Sequence, residues 1–130
     1  MTLKISQKQI ESVLKLDAPK RYMYSIKRIA DQEEIWGLYN DGWALAADEG
    51  GNVVFPLWPA KEYAQLSAHE NWNGYEPEPI SLDDLINALL PRLMKDHIQP
   101  SIFYTPADKG IVLDASALID DLNKELENYT

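Results

Sequence analysis

The chain has 130 residues, 45% of them apolar, and a formal net charge of −9. That length supports one core, burying roughly two thirds of the surface the unfolded chain exposes, and the composition is that of an ordinary globule rather than a disordered chain. The sequence contains no cysteine, which excludes disulfides and thiolate metal sites and favours a cytoplasmic setting.

Charge is distributed unevenly along the chain. Residues 1–30 hold seven basic side chains against Glu11 and Asp17, a net of +5, whereas residues 31–130 hold five basic and nineteen acidic groups, a net of −14. An acidic body repels nucleic acid and anionic lipid, so neither is an expected partner. The basic segment either lies solvated on helix faces or docks on an acidic surface. Met1 to Gln9 lacks the apolar core of a signal peptide. No stretch reaches the roughly 18 apolar residues needed to cross a membrane.

Ser6 followed by Gln9 is a capping-box pattern and predicts a short peripheral helix over residues 6–16, with a narrow stripe of Ile10, Val13 and Leu14. Asp17 and Pro19 start a second helix running to about Asp31. Its inward positions are Tyr22, Ile26, Ile29 and Ala30, with Lys20, Arg21, Lys27 and Arg28 expected largely outside.

Residues 34–59 carry three of the four tryptophans and read as a three-stranded β-meander. Asp41-Gly42 is a two-residue hairpin signal, because a type I′ turn needs positive φ at both central positions. This turn pairs Asn40 with Trp43, Leu38 with Leu45 and Trp36 with Ala47. A loop over residues 48–52 then sets Ala47 opposite Val53. The predicted core face is Trp36, Leu38, Trp43, Leu45, Ala47, Val53, Phe55 and Leu57. The other face carries Ile35, Tyr39, Ala44, Ala46, Val54 and Trp58. A slip of one residue reverses both faces.

Pro59 begins a predicted helix to about His69, and Asn71 to Pro79 reads as an irregular loop. Ser81 with Asp84 caps the most regular helical pattern, Leu82, Leu85, Ile86, Leu89, Leu90, Leu93 and Met94, and Leu89 is taken as a core position. Pro91 inside it predicts a kink, with residues 92–95 as a distorted last turn. Ser101 to Thr105 and Ile111 to Leu113 form a second hairpin around residues 106–110. Asp114 caps a final helix buried through Ala115, Leu118, Ile119, Leu122 and Leu126. The fold class is therefore α+β. It is a single domain over residues 1–130, with an antiparallel sheet of about five strands and about five helices packed mainly on one face.

Arg21-Tyr22, Lys27, Ala30, Glu34, Trp36-Gly37-Leu38-Tyr39 and Gly42-Trp43-Ala44 form the first part of a family pattern. It continues through Pro56-Leu57-Trp58-Pro59, Trp72, Pro79-Ile80-Ser81-Leu82, Leu90-Pro91, Leu93 and Phe103. The pattern resembles a family of small bacterial proteins catalogued as domain of unknown function 2750, over a core of residues 19–122. The resemblance implies no activity, cofactor or catalytic residue to carry onto this chain.

Catalytic patterns are sparse. His69 and His97 stand at the ends of different predicted helices, where the helix dipole favours them. Ser67, Ser81, Ser101 and Ser116 lack nucleophile-elbow glycines. The carboxylate pairs Glu33-Glu34, Asp48-Glu49, Asp83-Asp84 and Asp120-Asp121 fall in turns, in a helix first turn or on solvated faces. No calcium loop, phosphate loop or zinc ligand set is expected, and no cofactor.

The aromatic residues carry more information. Trp36 and Trp43 read as core. The candidate partner-binding set is Tyr39, Trp58, Trp72, Tyr75, Glu76 and Glu78. Helical cover is the competing reading, favoured for Trp58 and level with recognition for Trp72 and Tyr75. The functional expectation is a non-catalytic partner-binding or regulatory module, taking a protein with a basic surface. The alternative is a small hydrolase or transferase using carboxylates and a histidine. A histidine and carboxylate hydrogen-bonded in a cleft favour the enzyme, and an exposed apolar patch favours the binder.

Overall fold

The computed structural model describes residues 5–47, 50–106 and 110–129. The carboxylate pair Asp48-Glu49 and the hairpin tip Ala107-Asp108-Lys109 lie outside the described residues. The fold is α+β. Two helices, α1 (Gln7–Leu14) and α2 (Ala18–Gln32), precede the strands β1 (Glu34–Tyr39), β2 (Ala46–Ala47) and β3 (Val53–Leu57). Helix α3 (Lys61–Leu66) and strand β4 (Glu76–Ser81) follow. Next comes a continuous helical rod made of α4 (Leu82–Asp84), a π turn (Leu85–Leu89) and α5 (Leu90–Lys95). Strands β5 (Gln99–Ile102) and β6 (Ile111–Val112) and helix α6 (Ala115–Leu126) complete it.

The helix starts follow their capping residues. The Ser6 hydroxyl accepts from the Gln9 N–H, the Asp17 carboxylate from Lys20 and the Ser81 hydroxyl from Asp84. Each satisfies one of the donors that a helix N-terminus leaves unpaired. Asp114 occupies the cap position of α6, but its side chain makes no capping bond and instead accepts from Gln99 Nε2 at 3.0 Å.

Arg21 departs from its expected exposure. It is buried, and its guanidinium donates to the carbonyl of Leu16 at 3.0 Å and lies 5.7 Å from the Phe103 ring centre. A guanidinium has enough donors to close the open end of α1 while its plane packs on an aromatic face. Here α1 ends and α2 packs on the core through one side chain.

The strands form two ladders, a two-stranded β1–β4 pair and a four-stranded order β2–β3–β5–β6, joined at Trp36 and Trp58. These two tryptophans exchange both backbone hydrogen bonds, each 2.8 Å. Because β1 and β2 both run antiparallel to the same edge of β3, residues 34–47 are one extended run interrupted by an excursion rather than a hairpin. The turn is closed by a Tyr39–Trp43 bridge, and the Ala44 N–H donates to the Leu38 carbonyl at 2.8 Å. It therefore holds three residues, Asn40 to Gly42, with positive φ at Asp41 (55°) and Gly42 (151°).

The expected pairing of Asn40 with Trp43 is thus displaced by one residue, and the β1 half of the predicted face is reversed. The Trp43 ring sits against Gly37, where an added Cβ would lie 2.8 Å from Cζ3. Trp36 points to the opposite side. Of the predicted core face, Leu38, Phe55 and Leu57 are buried, Trp36 and Trp43 are half-buried, and Leu45, Ala47 and Val53 are exposed. Ile35 and Trp58, assigned to the other face, are fully buried. The Ala47–Val53 pairing is as expected.

Two further differences position the site. Residues 76–79, expected in a loop, belong to β4, an edge strand antiparallel to β1. The Leu82 N–H donates to the Glu33 carbonyl, which phases the ladder so that Pro77 and Pro79 fall where no ladder N–H is needed. β5 pairs with β3 in parallel, the long connection through β4 and the helical rod allowing the crossover. Cover lies on both sides of β3, since Val54 and Trp58 on one side and Phe55 and Leu57 on the other are all buried.

Within the helical rod, distortion precedes Pro91 instead of following it. Leu90 N–H donates to the Leu85 carbonyl across the π turn, widening the helix where the proline ring crowds the carbonyl of Asn87. Residues 90–95 are regular α-helix. Leu82, Leu85, Leu90 and Leu93 are buried, while Leu89 is half-buried and Met94 exposed.

Candidate functional site

Five of the six candidate residues fall into two groups, and Tyr75 stands outside both. Trp58 is buried, and its indole N–H donates to the Tyr104 carbonyl at 2.6 Å, so it is scaffold. Trp72, half-buried in a short 3₁₀ turn, packs edge-on against both Trp58, at 6.1 Å between ring centres, and Tyr104, at 5.0 Å. The cover on Trp72 thus comes from Trp58 and Tyr104, neither of them in a helix, and the residue stays partly exposed.

Tyr39, Glu76 and Glu78 form the second group. The register pairs Tyr39 with Glu76 and Gly37 with Glu78, and side-chain alternation puts all four positions on one face of the β1–β4 ribbon. Trp43 lies on this face against Gly37 and contacts the Phe55 ring at 5.8 Å. Tyr39 is 41% exposed and meets the Trp43 ring edge-on at 5.1 Å, and both glutamates are exposed. Ile35 and Ile80 close the other end of the face, so it is open only at its Tyr39 end. Tyr75 is half-buried next to β4.

A cleft of about 680 Å³ opens at the β2 edge beside the first group. One wall is Leu45, Ala46, Ala47 and Val53, the other Trp72 and Tyr104, with Ser67, His69, Asn71, Thr105 and Pro106 completing it. Sequence reasoning missed Tyr104 and Thr105, which stand in a segment read only as a hairpin arm. No sequence signal marks them: the turn that sets Tyr104 at this cleft is made at Phe103, whose φ of 68° is a left-handed conformation rare for an aromatic residue.

A smaller cleft of about 310 Å³ brings together His97, Asp114 and Ser116. Among the described residues no hydrogen bond joins the three, and Asp114 is engaged by Gln99. None of the described residues lining the larger cleft with His69 is acidic. Among the described residues, neither cleft therefore contains a hydrogen-bonded histidine and carboxylate. Among the described residues no group of three or more histidine, aspartate or glutamate side chains could hold a metal. Nor is any helix among them long and apolar enough to cross a membrane.

Two tyrosines away from the clefts have strongly perturbed phenols. Burial first, then the hydrogen bond to Asp121, keeps Tyr22 protonated far above the usual phenol range. Burial and the 2.8 Å contact with the Tyr24 hydroxyl do the same for Tyr63. Both link α2 to its neighbours and neither lines a cleft.

The fold and these sites define a small α+β protein with an open aromatic face and a largely neutral cleft. The sequence profile of the DUF2750 family, described as proteins of unknown function, matches residues 22–122, and the chain belongs to that family. No curated protein matches the sequence.

Proposed function

We propose that the chain is a non-catalytic, cytoplasmic module of bacterial type that binds or regulates a protein partner bearing a basic surface. The observation that carries this reading is the open end of the β1–β4 face. There Tyr39, 41% exposed, packs against Trp43, with Glu76 and Glu78 on the same side. Aromatic rings supply contact area at low entropic cost and attract cations to their faces. The two carboxylates select a basic partner and speed its arrival.

The edge of β4 supports recognition through side chains. Pro77 and Pro79 remove the outward backbone donors that a partner strand would need, which disfavours strand addition. The hydrolase or transferase alternative needs a hydrogen-bonded histidine and carboxylate, and the described residues of the two clefts supply no such pair.

The test combines Tyr39→Ser, Glu76→Gln and Glu78→Gln in one protein and measures its affinity for a partner captured by the native chain. The expected result is an unchanged melting temperature with binding lost, the difference being larger at low salt. Undiminished binding would remove this face from the account.

A further inference from the structure

We propose that the larger cleft is a binding site for a small, uncharged, planar heteroaromatic molecule. Its two walls and its base favour different parts of such a ligand. Trp72 and Tyr104 present their rings on one side, and residues Leu45, Ala46, Ala47 and Val53 of the β2–β3 edge line the other. A flat ring buries both faces between walls of this kind.

The base supplies polar contacts to the ring's edge. Ser67 and Thr105 are hydroxyl residues more than nine-tenths buried, and both line the cleft. The Ser67 hydroxyl donates to the Tyr104 carbonyl at 3.4 Å, the outer limit of a hydrogen bond, and that carbonyl already accepts from Trp58 at 2.6 Å. A hydroxyl held this loosely gains by donating to a ring nitrogen or amide oxygen, and it also accepts. His69 and Asn71 add a ring nitrogen and an amide at the rim.

Formal charge separates this class from its anionic relatives. One quarter of the chain's residues are charged, yet none of the described residues lining the cleft is aspartate, glutamate, lysine or arginine. An anionic ligand would lose its hydration there with no cation among those residues to replace it, inside a chain of net charge −9. Nucleobase-like and carboxamide-bearing rings fit these conditions, whereas phosphorylated or carboxylated rings do not. The cleft shares Leu45 with the side of the sheet that carries Trp43, but the proposal does not depend on the partner-binding reading.

The test titrates the isotopically labelled protein with nicotinamide and indole-3-acetamide, and with nicotinate and indole-3-acetate as nearly isosteric anions. The amides are expected to shift the resonances of His69, Trp72 and Tyr104, and the acids to bind about tenfold more weakly or worse. Asn71→Asp introduces a charge at nearly constant volume at an exposed rim position, and Val53→Glu introduces one on the wall. Each should weaken amide binding about fivefold or more while leaving the melting temperature nearly unchanged, because surface substitutions rarely alter stability by more than about 0.5 kcal/mol. Acids binding as tightly as the amides, amide shifts located elsewhere, or no shifts at millimolar concentration would each overturn the proposal.

Discussion

Two parts of this molecule contain one residue more than the regular element would, and they respond in opposite ways. At the tip of the β1 excursion, three residues separate Tyr39 from Trp43. Side chains in a strand alternate with period two, so one added residue moves Trp43 to the Gly37 side, away from Trp36. In the helical rod the π turn lengthens the step between buried leucines to five residues, from Leu85 to Leu90. A widened turn takes up the extra residue and returns the next leucine to the same face. The strand thus uses its extra residue to bring an aromatic group onto an open face, and the helix uses its own to keep the core closed.

The largest expected effect tests the helical half of this comparison. Leu90→Ala should cost about 2–5 kcal/mol, the usual range for a truncated core leucine. Leu89→Ala, at a half-buried position, should cost clearly less. Chemical denaturation of the two variants measures both, and equal losses would mean that the rod is an unbroken α-helix. The strand half is tested by Gly37→Ala, whose new methyl would meet the Trp43 ring well inside van der Waals contact. Overpacking of this kind costs about 1–3 kcal/mol. A harmless substitution would place Trp43 on the other side of the ribbon.

A smaller effect comes from a contact that neither periodicity governs. Tyr22 on α2 donates to Asp121 on α6, and Tyr22→Phe should cost about 1 kcal/mol near neutral pH. Because the folded phenol is held protonated, its contribution is complete below the ordinary phenol value of about 10 and is lost as pH rises above it. Melting temperatures across alkaline pH should therefore fall less steeply in the variant than in the native protein. Parallel curves would contradict the assignment.

The two regions also show what was legible in the sequence. Capping residues and the helical leucine spacing gave the order of elements, because those signals are local. Asp41-Gly42 located the turn but not its length, since positive φ at both positions suits a three-residue loop as well as a two-residue one. Pro77 and Pro79 argued against a strand, and only the phasing of the β1–β4 ladder shows that neither interrupts it. Of the candidate site, Tyr39, Glu76 and Glu78 come together as one face, while Trp58 belongs to the core. Tyr104 and Thr105 had no local signal, since the cleft they line is made by contacts distant in sequence.

The most direct test of the partner-binding account compares two equally exposed side chains. Leu45 and Met23 are each 47% exposed, Leu45 in the register position beside Phe55 under Trp43, and Met23 on α2. Leu45→Asp and Met23→Asp should both melt within a degree or two of the native protein, as surface substitutions usually do. Affinity for the captured partner should fall sharply in Leu45→Asp and stay unchanged in Met23→Asp. Equal affinities, or a loss confined to Met23→Asp, would contradict the claim that this protein recognises its partner through the open face of its sheet.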